Sequence, residues 1–508
     1  LEEIRAGCEV AQALRRHPLP GGGHIGKSTL VRAYRDQTAR GEWPADSSLE
    51  HRLRMKPVRT LSGVTTVTVL TKPYPCPGKC VFCPTDVRMP KSYLADEPGA
   101  RRALRHNFDP YAQTWARLQA LDAIGHPTSK VELLVLGGTW SAYRKDYQAW
   151  FLQRCLEALN GFPSPDLETA LDANERSVHR NVGLVIETRP DWVTVSEVQR
   201  LRRLGVTKVQ LGAQSLDDRV LRLNRRGHTV DQTRTAVSRL RAAGFKIVLH
   251  WMPNLLGADL ESDRRDFRRL WDDESLRPDE LKIYPCQLLS NAELSEYWAR
   301  GEYAPYTSQE LVGLLADVKT SIPRYCRVNR VIRDIPSTNV LAGNRRTSLR
   351  QDVQSEMRRR GASCACIRCR EVRGQVVGLG SLRMKSETYP AGGATEHFLS
   401  FVDEGDRLAG FLRLSLPGPE SPATGIVELD GAALVREVHV YGPSVPVGES
   451  ESGAAQHAGL GASLMDRAEA IARRQRYHRL AVIAAVGTRG YYRRLGYARH
   501  GTYMVKGL

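Results

Sequence analysis

Three cysteines, Cys76, Cys80 and Cys83, lie close together at the spacing C-x3-C-x2-C. They follow a β-rich run, residues 64–70, so they are expected in a loop at the end of a strand. Iron–sulfur clusters are held by cysteine thiolates, normally four to a cubane, and three thiolates leave one iron open to another ligand. The spacing therefore predicts a 4Fe-4S cluster with an open iron. The alternative is a zinc loop or chance clustering.

A second cysteine triplet, Cys364, Cys366 and Cys369, lies much further along the chain. Zinc prefers four sulfur or nitrogen ligands in a tetrahedron, and three thiolates this close can serve one metal ion. No fourth ligand is visible nearby, and a histidine elsewhere, such as His397, or a water would complete the site. We predict a structural zinc at a domain joint, with a second iron–sulfur cluster as the rival interpretation.

A glycine-rich loop near the C-terminus precedes a predicted helix that runs to Arg474 and follows a predicted strand, Ala433–Tyr441. Backbone amides at such a helix start can bind a pyrophosphate, assisted by the helix dipole. The loop residues concerned are Gln456, Gly459, Leu460, Gly461 and Ala462. Tyr491 and Tyr492 follow the next predicted strand, Leu480–Val486, and the alternative for each tyrosine is core packing.

Strands alternate with helices from about residue 61, the pattern of a βα barrel or part of one. The strands are expected at Val131–Leu136, Val182–Glu187, Lys208–Leu211, Lys246–Trp251 and Glu280–Tyr284. In such barrels the chemistry lies at the carboxyl ends of the strands. Polar residues or glycines follow four of these strands, among them Gly137, Gly138, Thr139, Glu187, Gln214 and His250. Each alone could be an ordinary turn, but four in register behind the cysteine loop predict a site.

The charge of the chain is strongly basic, with 74 Lys and Arg against 56 Asp and Glu, so a polyanionic partner is expected. Residues 1–60 are arginine-rich, and residues 21–28 match the P-loop pattern G-x4-G-K-S. A true P-loop needs a buried strand before it, whereas residues 15–20 read Arg-Arg-His-Pro-Leu-Pro. We interpret this segment as a glycine-rich turn whose basic character, including Lys27, suits a phosphate backbone.

Seven arginines and one acid, Asp334, lie within residues 323–350. Arg327, Arg330 and Arg333 recur every third residue, which a helix would place on one face and an extended arm would also accommodate. The alternative is a solvated charged face. Because so little acid lies nearby in the sequence, the pattern favours contact with RNA phosphates.

The cellular compartment can also be predicted. Six of the ten cysteines fall into the two triplets, which favours metal binding in a reducing, cytoplasmic environment over a disulfide framework. We find no signal peptide and no apolar run long enough to span a bilayer, so no membrane partner is expected.

The cysteine loop resembles the signature of radical S-adenosylmethionine (SAM) enzymes, and the loop at Gly459 is similar to the coenzyme A loop Q/R-x2-G-x-G/A of GCN5-related acetyltransferases. The order of both motif sets resembles the catalytic subunit of Elongator in its bacterial or archaeal single-chain form. The likeness covers nearly the whole chain. It includes residues 76–80, 186–191 and 436–442 and the doublet Tyr491-Tyr492.

The resemblance implies an α/β fold in which a partial βα (TIM-like) radical SAM barrel precedes a GCN5-related N-acetyltransferase domain. We expect a basic tRNA-binding region at 1–60, the radical SAM domain at 61–322, a basic linker with the zinc triplet at 323–374 and the acetyltransferase domain at 375–508. It also implies that Gly137, Gly138 and Thr139 meet the SAM amino group and that Glu187 meets the ribose, with Gln214 lining the same cavity.

The implied activity is modification of the wobble uridine in a tRNA anticodon. Acetyl-CoA would bind at Gly459–Ala462, a 5′-deoxyadenosyl radical would take hydrogen from the acetyl methyl, and the carbon radical would add to uridine carbon 5. Oxidation and thioester hydrolysis would leave 5-carboxymethyluridine. Glu437 or His439 would act as a base or only shape the acetyl pocket, and Tyr492 would orient the thioester or protonate the leaving thiolate. A reductant for the cluster is also implied. The rivals are a protein lysine acetyltransferase with a structural cluster and a non-catalytic tRNA-binding scaffold.

Overall fold

The computed structural model describes residues 1–56, 60, 62–373, 379–441 and 459–508. Its first residues form a small helical cluster with its own core, which includes Ile4, Val31 and Leu53. Gly7 adopts φ +106° and separates the first two helices of this cluster. The helices of this region are α1 (Glu2–Arg5), α2 (Val10–Arg16), α3 (Lys27–Ala39) and α4 (Ser47–Leu53).

A seven-stranded, wholly parallel sheet forms the centre of the first half of the chain, in the order β1-β2-β3-β4-β5-β6-β8. The edge strands β1 and β8 do not pair with each other, so the curled sheet is an open, partial barrel, as predicted. A separate two-stranded sheet pairs β7 with β9. The strands are β1 (Thr65–Leu70), β2 (Lys130–Leu136), β3 (Arg180–Thr188), β4 (Lys208–Gln214), β5 (Lys246–Trp251), β6 (Glu280–Ile283), β7 (Leu288–Leu289), β8 (Arg327–Arg330) and β9 (Val340–Ala342).

Helices cover the outer face of the barrel, and several begin at residues whose side chains cap free backbone amides. Thr229, Asp259 and Thr307 each form a capping box. The helices are α5 (Pro98–Arg105), α6 (Pro110–Asp122), α7 (Lys145–Asn160), α8 (Leu167–Asn174), α9 (Val195–Arg203), α10 (Asp218–Leu223), α11 (Val230–Ala242), α12 (Leu260–Asp272), α13 (Leu294–Ala299), α14 (Ser308–Lys319), α15 (Leu349–Arg359) and α16 (Ile367–Arg370). The barrel is thus a rigid scaffold that holds the loops at its strand ends.

A second seven-stranded sheet follows, in the order β10-β11-β12-β13-β14-β16-β15. Only the β13–β14 pair is parallel, and the connection between these two strands contains helix α17. The elements are β10 (Arg383–Ala391), β11 (Ala394–Val402), β12 (Leu408–Pro417), β13 (Ala432–Val440), α17 (Leu460–Arg474), β14 (Arg479–Val482), α18 (Arg489–Arg494), β15 (Ala498–His500) and β16 (Tyr503–Gly507). The sequence did not predict β10, and β14 ends four residues before the predicted Val486.

Buried charges join the two sheets. Asp279, at the start of β6, accepts two hydrogen bonds from Arg436 of β13 at 2.8 and 2.6 Å. Arg413 and Arg241 lie 3.7 and 3.8 Å from the same carboxylate. Burial opposes ionisation of Asp279, but the three guanidinium groups outweigh it and lower its pKa. This joint fixes the second sheet against the amino end of the barrel strands.

Among the described residues, no helix is both long and apolar enough to cross a bilayer.

Candidate active site

One cavity of about 1380 Å³ reaches both halves of the molecule. At one end it is lined by the loop cysteines Cys76, Cys80 and Cys83, and at the other by Glu437, His439 and Tyr492 of the second sheet. Barrel interiors are usually packed with side chains rather than open. The residues that the sequence predicted for two separate chemistries therefore share one cavity.

The cysteine loop is positioned by strand β1 and by two arginines from other elements. Arg226 Nη1 donates to Cys80 Sγ at 3.3 Å, and its Nη2 donates to the Gly212 carbonyl at 2.6 Å. A hydrogen bond from the Cys83 thiol, together with the charges of Arg226 and Arg189, outweighs burial and lowers the pKa of Cys80 to about 5. The loop thus favours a thiolate, the form that binds metal.

The surroundings of these sulfurs favour a cluster over a single ion. Among the described residues, only Cys364, Cys366 and Cys369 form a group whose metal-binding atoms all lie within 4.8 Å of one another. At least one pair of the sulfurs of Cys76, Cys80 and Cys83 is therefore more than 4.8 Å apart, although the Cys83 thiol hydrogen-bonds to Cys80. Three cysteine donors beside an open cavity fit a 4Fe-4S cluster that keeps one iron accessible.

The turn after β2 passes very close to the end of β1. Gly137 adopts φ +144°, and a Cβ built there would lie 1.7 Å from Thr71 Oγ1, so only glycine fits. Thr139 Oγ1 lies 3.9 Å from Cys76 Sγ, and Gly138 and Thr139 both line the cavity. The predicted Gly137-Gly138-Thr139 turn is thus adjacent to the cysteine loop.

Glu187 lies at the carboxyl end of β3 and faces several polar groups. Tyr93 Oη donates to Glu187 Oε2 at 2.9 Å, and Lys282 Nζ lies 3.6 Å from its Oε1. His250 Nε2 is 4.0 Å from the same oxygen. Burial and the Lys282 charge lower the pKa of His250 well below its usual value, so the imidazole is neutral at neutral pH.

Gln214 ends β4 with φ +69°, a conformation unusual for a residue other than glycine. Its Oε1 is buried and has no hydrogen-bond partner among the described residues. Strained backbone and unpaired buried polar atoms concentrate at functional sites. Gln214 lines the cavity, which is consistent with the role predicted for it.

Sequence analysis missed two arginines in this region, Arg189 and Arg226. Both are buried, each has a side-chain nitrogen without a partner among the described residues, and both line the cavity. A Cβ at Gly78 would lie 2.5 Å from Arg189 Nη1, so the loop glycine makes room for that guanidinium. Arg189 lies two residues after Glu187 within the motif of residues 186–191, whereas nothing in the local sequence marks Arg226.

The lumen between the two ends carries ionic side chains. Lys208 Nζ lies 2.5 Å from Glu132 Oε1 and 3.4 Å from Glu280 Oε2, and Lys246 pairs with Glu280 and Glu437. Further along the strands, His250 Nε2 lies 2.9 Å from Gln210 Oε1. All of these residues line the cavity, so charged and polar side chains lie between its two ends.

The second sheet opens at the cavity. The pairing of β13 with β14 ends at the pair Val435 and Val482, although β13 continues to Val440. A bulge between Arg413 and Leu414 shifts the pairing of β12 with β13 at this point. Glu437 and His439 therefore lie on the part of β13 that pairs with β12 but no longer with β14, where a ligand can approach them.

His439 and Glu437 differ in their suitability as a base. Burial lowers the pKa of His439 to about 3, and its Nε2 has no partner among the described residues. Glu437 accepts from Arg413 Nε at 2.9 Å and pairs with Lys246, and these cations outweigh burial and lower its pKa. Glu437 is thus committed to an ion-pair network, whereas His439 retains an unused nitrogen.

The two tyrosines occupy different positions. Tyr492 is buried and lines the cavity, whereas Tyr491 Oη would lie 2.7 Å from a Cβ at Gly461 and lacks a partner among the described residues. Gly459 begins α17 with φ +73°, and Leu460 and Ala462 form its first turn. Gln456 lies outside the described residues.

Comparison with known proteins shows the family. A radical SAM superfamily model matches residues 74–269, and a radical SAM C-terminal domain model matches residues 278–359. The tRNA uridine(34) acetyltransferase of Methanocaldococcus jannaschii is 39% identical over 521 residues, covering 100% of this chain and 93% of that protein. Elongator complex protein 3 of Homo sapiens is 38% identical over 478 residues, covering 90% of this chain and 86% of that protein. This chain belongs to the Elongator complex protein 3 family.

A solved structure supports the same assignment. The archaeal Methanocaldococcus infernus Elp3 with an N-terminal deletion is 37% identical, with a TM-score of 0.76, covering 88% of this chain and 99% of that one. The predicted family and fold class are therefore confirmed. In this family member, the first triplet lies within the part matched by the radical SAM superfamily, whose enzymes bind a 4Fe-4S cluster and SAM.

The second triplet of this family member is a compact group. Its three sulfurs lie within 4.8 Å of one another, and Lys319 Nζ is 3.5 Å from Cys364 Sγ. The expected fourth ligand, His397, is wrong: it is absent from this group, and its Nδ1 lies 3.1 Å from Thr388 Oγ1 across the β10–β11 pair. The three thiolates fit one zinc ion whose fourth ligand is not another cysteine, histidine or carboxylate of the described residues.

The arginine series has an unexpected environment. Arg327 pairs with Glu371 and lies 2.9 Å from Tyr441 Oη, Arg330 pairs with Asp334 at 2.8 Å, and Arg333 pairs with Glu97 at 2.9 Å. The premise that these arginines have little acid to pair with is therefore wrong, because two of the acids come from distant parts of the chain. The helix that would place the three arginines on one face is not formed, since Arg327–Arg330 is strand β8. This strand extends the first sheet past residue 322, the predicted end of the radical SAM domain.

Lys27 is the first residue of α3, and helix α2 is the regular element before its loop, so the P-loop pattern lacks the strand it needs.

Proposed function

We propose that this chain modifies the wobble uridine of tRNA to 5-carboxymethyluridine, using acetyl-CoA and a SAM-derived radical. The observation that carries the proposal is the single cavity that touches both the loop cysteines and the opened end of the second sheet. The relatives named tRNA uridine(34) acetyltransferase support the choice of substrate. Two separate cofactor sites would not need one cavity that reaches both.

Cys76, Cys80 and Cys83 would hold the cluster, with the Gly137–Thr139 turn and Glu187 around the SAM. When bound, cluster and SAM supply a 5′-deoxyadenosyl radical that can take a hydrogen atom from a methyl group. The surrounding protein excludes water and fixes the reactants in contact, which is a large part of what an active site contributes. Arg189 and Arg226 stabilise the anionic loop from its buried side.

Acetyl-CoA would bind where β13 and β14 separate, with its pyrophosphate at the first turn of α17. His439 would hydrogen-bond the thioester or the attacking water through its unpaired Nε2 and so shape the acetyl pocket, since a pKa of about 3 makes its imidazole a weak base. Burial raises the pKa of Tyr492, so its hydroxyl stays protonated and can orient the thioester or protonate the leaving thiolate. Overall, the acetyl methyl would lose one hydrogen atom to the 5′-deoxyadenosyl radical and bond to uridine carbon 5, which would then lose its proton while one electron passes to a one-electron acceptor. Water would hydrolyse the thioester and release coenzyme A.

Zinc at Cys364, Cys366 and Cys369 would have a structural role. The three thiols belong to α16 and the turn before it, and Ile367 N–H donates to the Cys326 carbonyl next to β8 at 2.9 Å. A metal there would tie the end of the barrel to the segment that enters the second sheet.

Anaerobic incubation of tRNA with acetyl-CoA, SAM and a reductant, followed by mass spectrometry of the nucleosides, tests the function. Gly461→Leu should stop both uridine modification and tRNA-stimulated acetyl-CoA hydrolysis, because its side chain would fill the space beside Tyr491. Gly490→Leu is the matched control, since a Cβ there meets nothing within 4 Å. Normal modification by Gly461→Leu would overturn the proposed acetyl site.

The rival functions give different results in the same experiment. A protein lysine acetyltransferase would acetylate a basic peptide and leave the uridine unchanged. A tRNA-binding scaffold would bind tRNA without cleaving SAM.

A further inference from the structure

Four aromatic rings form a stack that runs from the protein surface to the loop of Cys76. The ring centroids of Trp150 and Tyr147 are 5.7 Å apart, those of Tyr147 and Tyr143 5.3 Å, and those of Tyr143 and Tyr74 4.8 Å. Trp150 is 44% exposed, whereas Tyr143 is buried. Because Tyr74 stands two residues before Cys76, the rings join solvent to the cysteine loop.

The inner rings are fixed to the start of that loop. Tyr143 Oη lies 2.9 Å from the carbonyl oxygen of Lys72 and 3.2 Å from that of Gly137. The Lys72 N–H donates to Tyr147 Oη at 3.1 Å. These contacts hold the rings at the distances of favourable aromatic pairs, so the stack is preorganised.

The surface around the stack is basic. Lys72, Lys79, Arg144 and Lys145 are exposed, and Lys72 Nζ lies 4.9 Å from the centre of the Tyr147 ring. The neighbouring acid Asp146 pairs with Arg144 at 2.6 Å. Three lysines therefore give the surface a net positive charge, which is complementary to an acidic partner.

The stack lies next to the cysteine loop but is not part of the cavity wall. None of the four rings and none of the three lysines is among the described residues that line the cavity, although Cys76 is. A tRNA base stacked on Trp150 would therefore be outside the space that holds the reacting groups. An electron carrier has the opposite need, since electronic coupling falls steeply with distance and the carrier must approach the loop from outside.

We propose that this surface docks a small, acidic one-electron carrier protein, of the flavin or iron–sulfur class. The carrier gives one electron to the cluster held by the loop and is itself oxidised by one electron. This inference rests on the proposed function, because only reductive use of SAM requires the electron. We expect a transient contact at the small end of protein interfaces, below about 1,200 Å² in total.

Binding of flavodoxin, an acidic FMN protein, to the full chain tests the charges. The triple variant Lys72→Glu, Lys79→Glu, Lys145→Glu should bind it about tenfold more weakly or worse, with reduced salt dependence. The matched control is Arg203→Glu, Arg222→Glu, Arg268→Glu, three exposed positions on the outer helices of the barrel. Equal weakening by both triples would mean that only net charge matters and would overturn the proposal.

Trp150→Ala tests the stack, and Trp115→Ala, an equally exposed tryptophan at 42%, is its control. SAM cleavage driven by flavodoxin should fall several-fold in Trp150→Ala, while cleavage driven by dithionite, which needs no docking, should not change. A loss with both reductants would show that the ring is merely structural.

The same variants distinguish binding of an electron carrier from binding of tRNA, since either could bind a basic, aromatic surface. If the lysine triple lost tRNA affinity but kept flavodoxin affinity, the surface would be an RNA contact and the proposal would be wrong. Failure of the proposed function is distinguishable, because the unaltered chain would then bind flavodoxin but make no modified uridine with dithionite.

Discussion

The two cysteine triplets contain the same number of thiols in different surroundings. Cys76, Cys80 and Cys83 line a large cavity and lie beside two buried arginines, and their sulfurs do not all lie within 4.8 Å of one another. Cys364, Cys366 and Cys369 lie within 4.8 Å of one another beside Lys319 and do not line that cavity. Structural metal sites are closed, whereas catalytic sites keep an open position.

The difference teaches that ligand spacing and access, rather than ligand number, separate chemistry from support. The first triplet is placed where a substrate can reach it. The second lies where the barrel meets the second sheet, so a metal there can only hold the joint. Four predictions test this division.

The largest effect is expected from Cys80→Ser. The variant should fold, lack the broad visible absorbance of an iron–sulfur centre and make no modified uridine, because a serine hydroxyl replaces a thiolate of the cluster. Its zinc content should equal that of the unaltered chain. Loss of iron and zinc together, measured by elemental analysis, would mean that the triplets share one site.

Cys366→Ser should act on stability. Cys366 is fully buried, and losing both its thiolate and the bound metal should lower the free energy of unfolding by more than about 3 kcal/mol. Denaturant unfolding measures this, and the iron absorbance should persist. The control is Cys155→Ser, a fully buried thiol outside both triplets, for which we expect about 1–2 kcal/mol. Equal losses would show that burial of a hydroxyl, and not metal loss, explains the result.

Asp279→Asn tests whether the buried charges between the two sheets also stabilise their contact. Removing one partner of a buried ionic cluster should cost about 3–5 kcal/mol, because three guanidinium groups lose their shared carboxylate. The folded pKa of Asp279 lies below its ordinary value, so its contribution is present above about pH 4 and lost as the pH falls. Stability of the variant should therefore decline less steeply on the acid side.

Asp263→Asn is the control, because the pKa of Asp263 is shifted in the opposite direction to that of Asp279. Burial raises the pKa of Asp263 to about 7, so the unaltered chain loses stability from this group as the pH rises from about 4 to 7. The variant should lack that loss. Identical pH profiles for the two variants would contradict the assignment of the joint charges.

Much of the barrel could be predicted from sequence because its signals are local. Alternation of apolar residues located five of its strands, and glycines and polar residues marked their ends at Gly137, Glu187 and Gln214. The pairing of Arg226 with Cys80 and of Arg436 with Asp279 could not be predicted, since each contact joins residues more than a hundred positions apart. The arginine series failed for the same reason, because the acids that pair with Arg327 and Arg333 are remote in the chain.

The smallest predicted effect concerns two arginines of that series, Arg327 and Arg330. Only Arg327 belongs to the closed region around the second cysteine triplet. Arg327 pairs with Glu371, two residues after Cys369, and belongs to the closed joint. The Arg330 side chain is 49% exposed, and its pair with Asp334 is exposed as well. Such an exposed pair contributes little to stability, so the Arg330 guanidinium remains able to bind a phosphate.

Arg330→Ala should therefore lower the slope of log K for tRNA binding against log salt by roughly 0.7–0.9, the share of one phosphate contact, without changing the free energy of unfolding. Arg327→Ala should do the reverse, because it leaves the largely buried Glu371 carboxylate without its cation. Binding titrations at several salt concentrations, paired with denaturant unfolding, measure both quantities. An unchanged slope for Arg330→Ala would return this arginine to a solvated charged face, and a changed slope for Arg327→Ala would mean that the joint itself opens to tRNA.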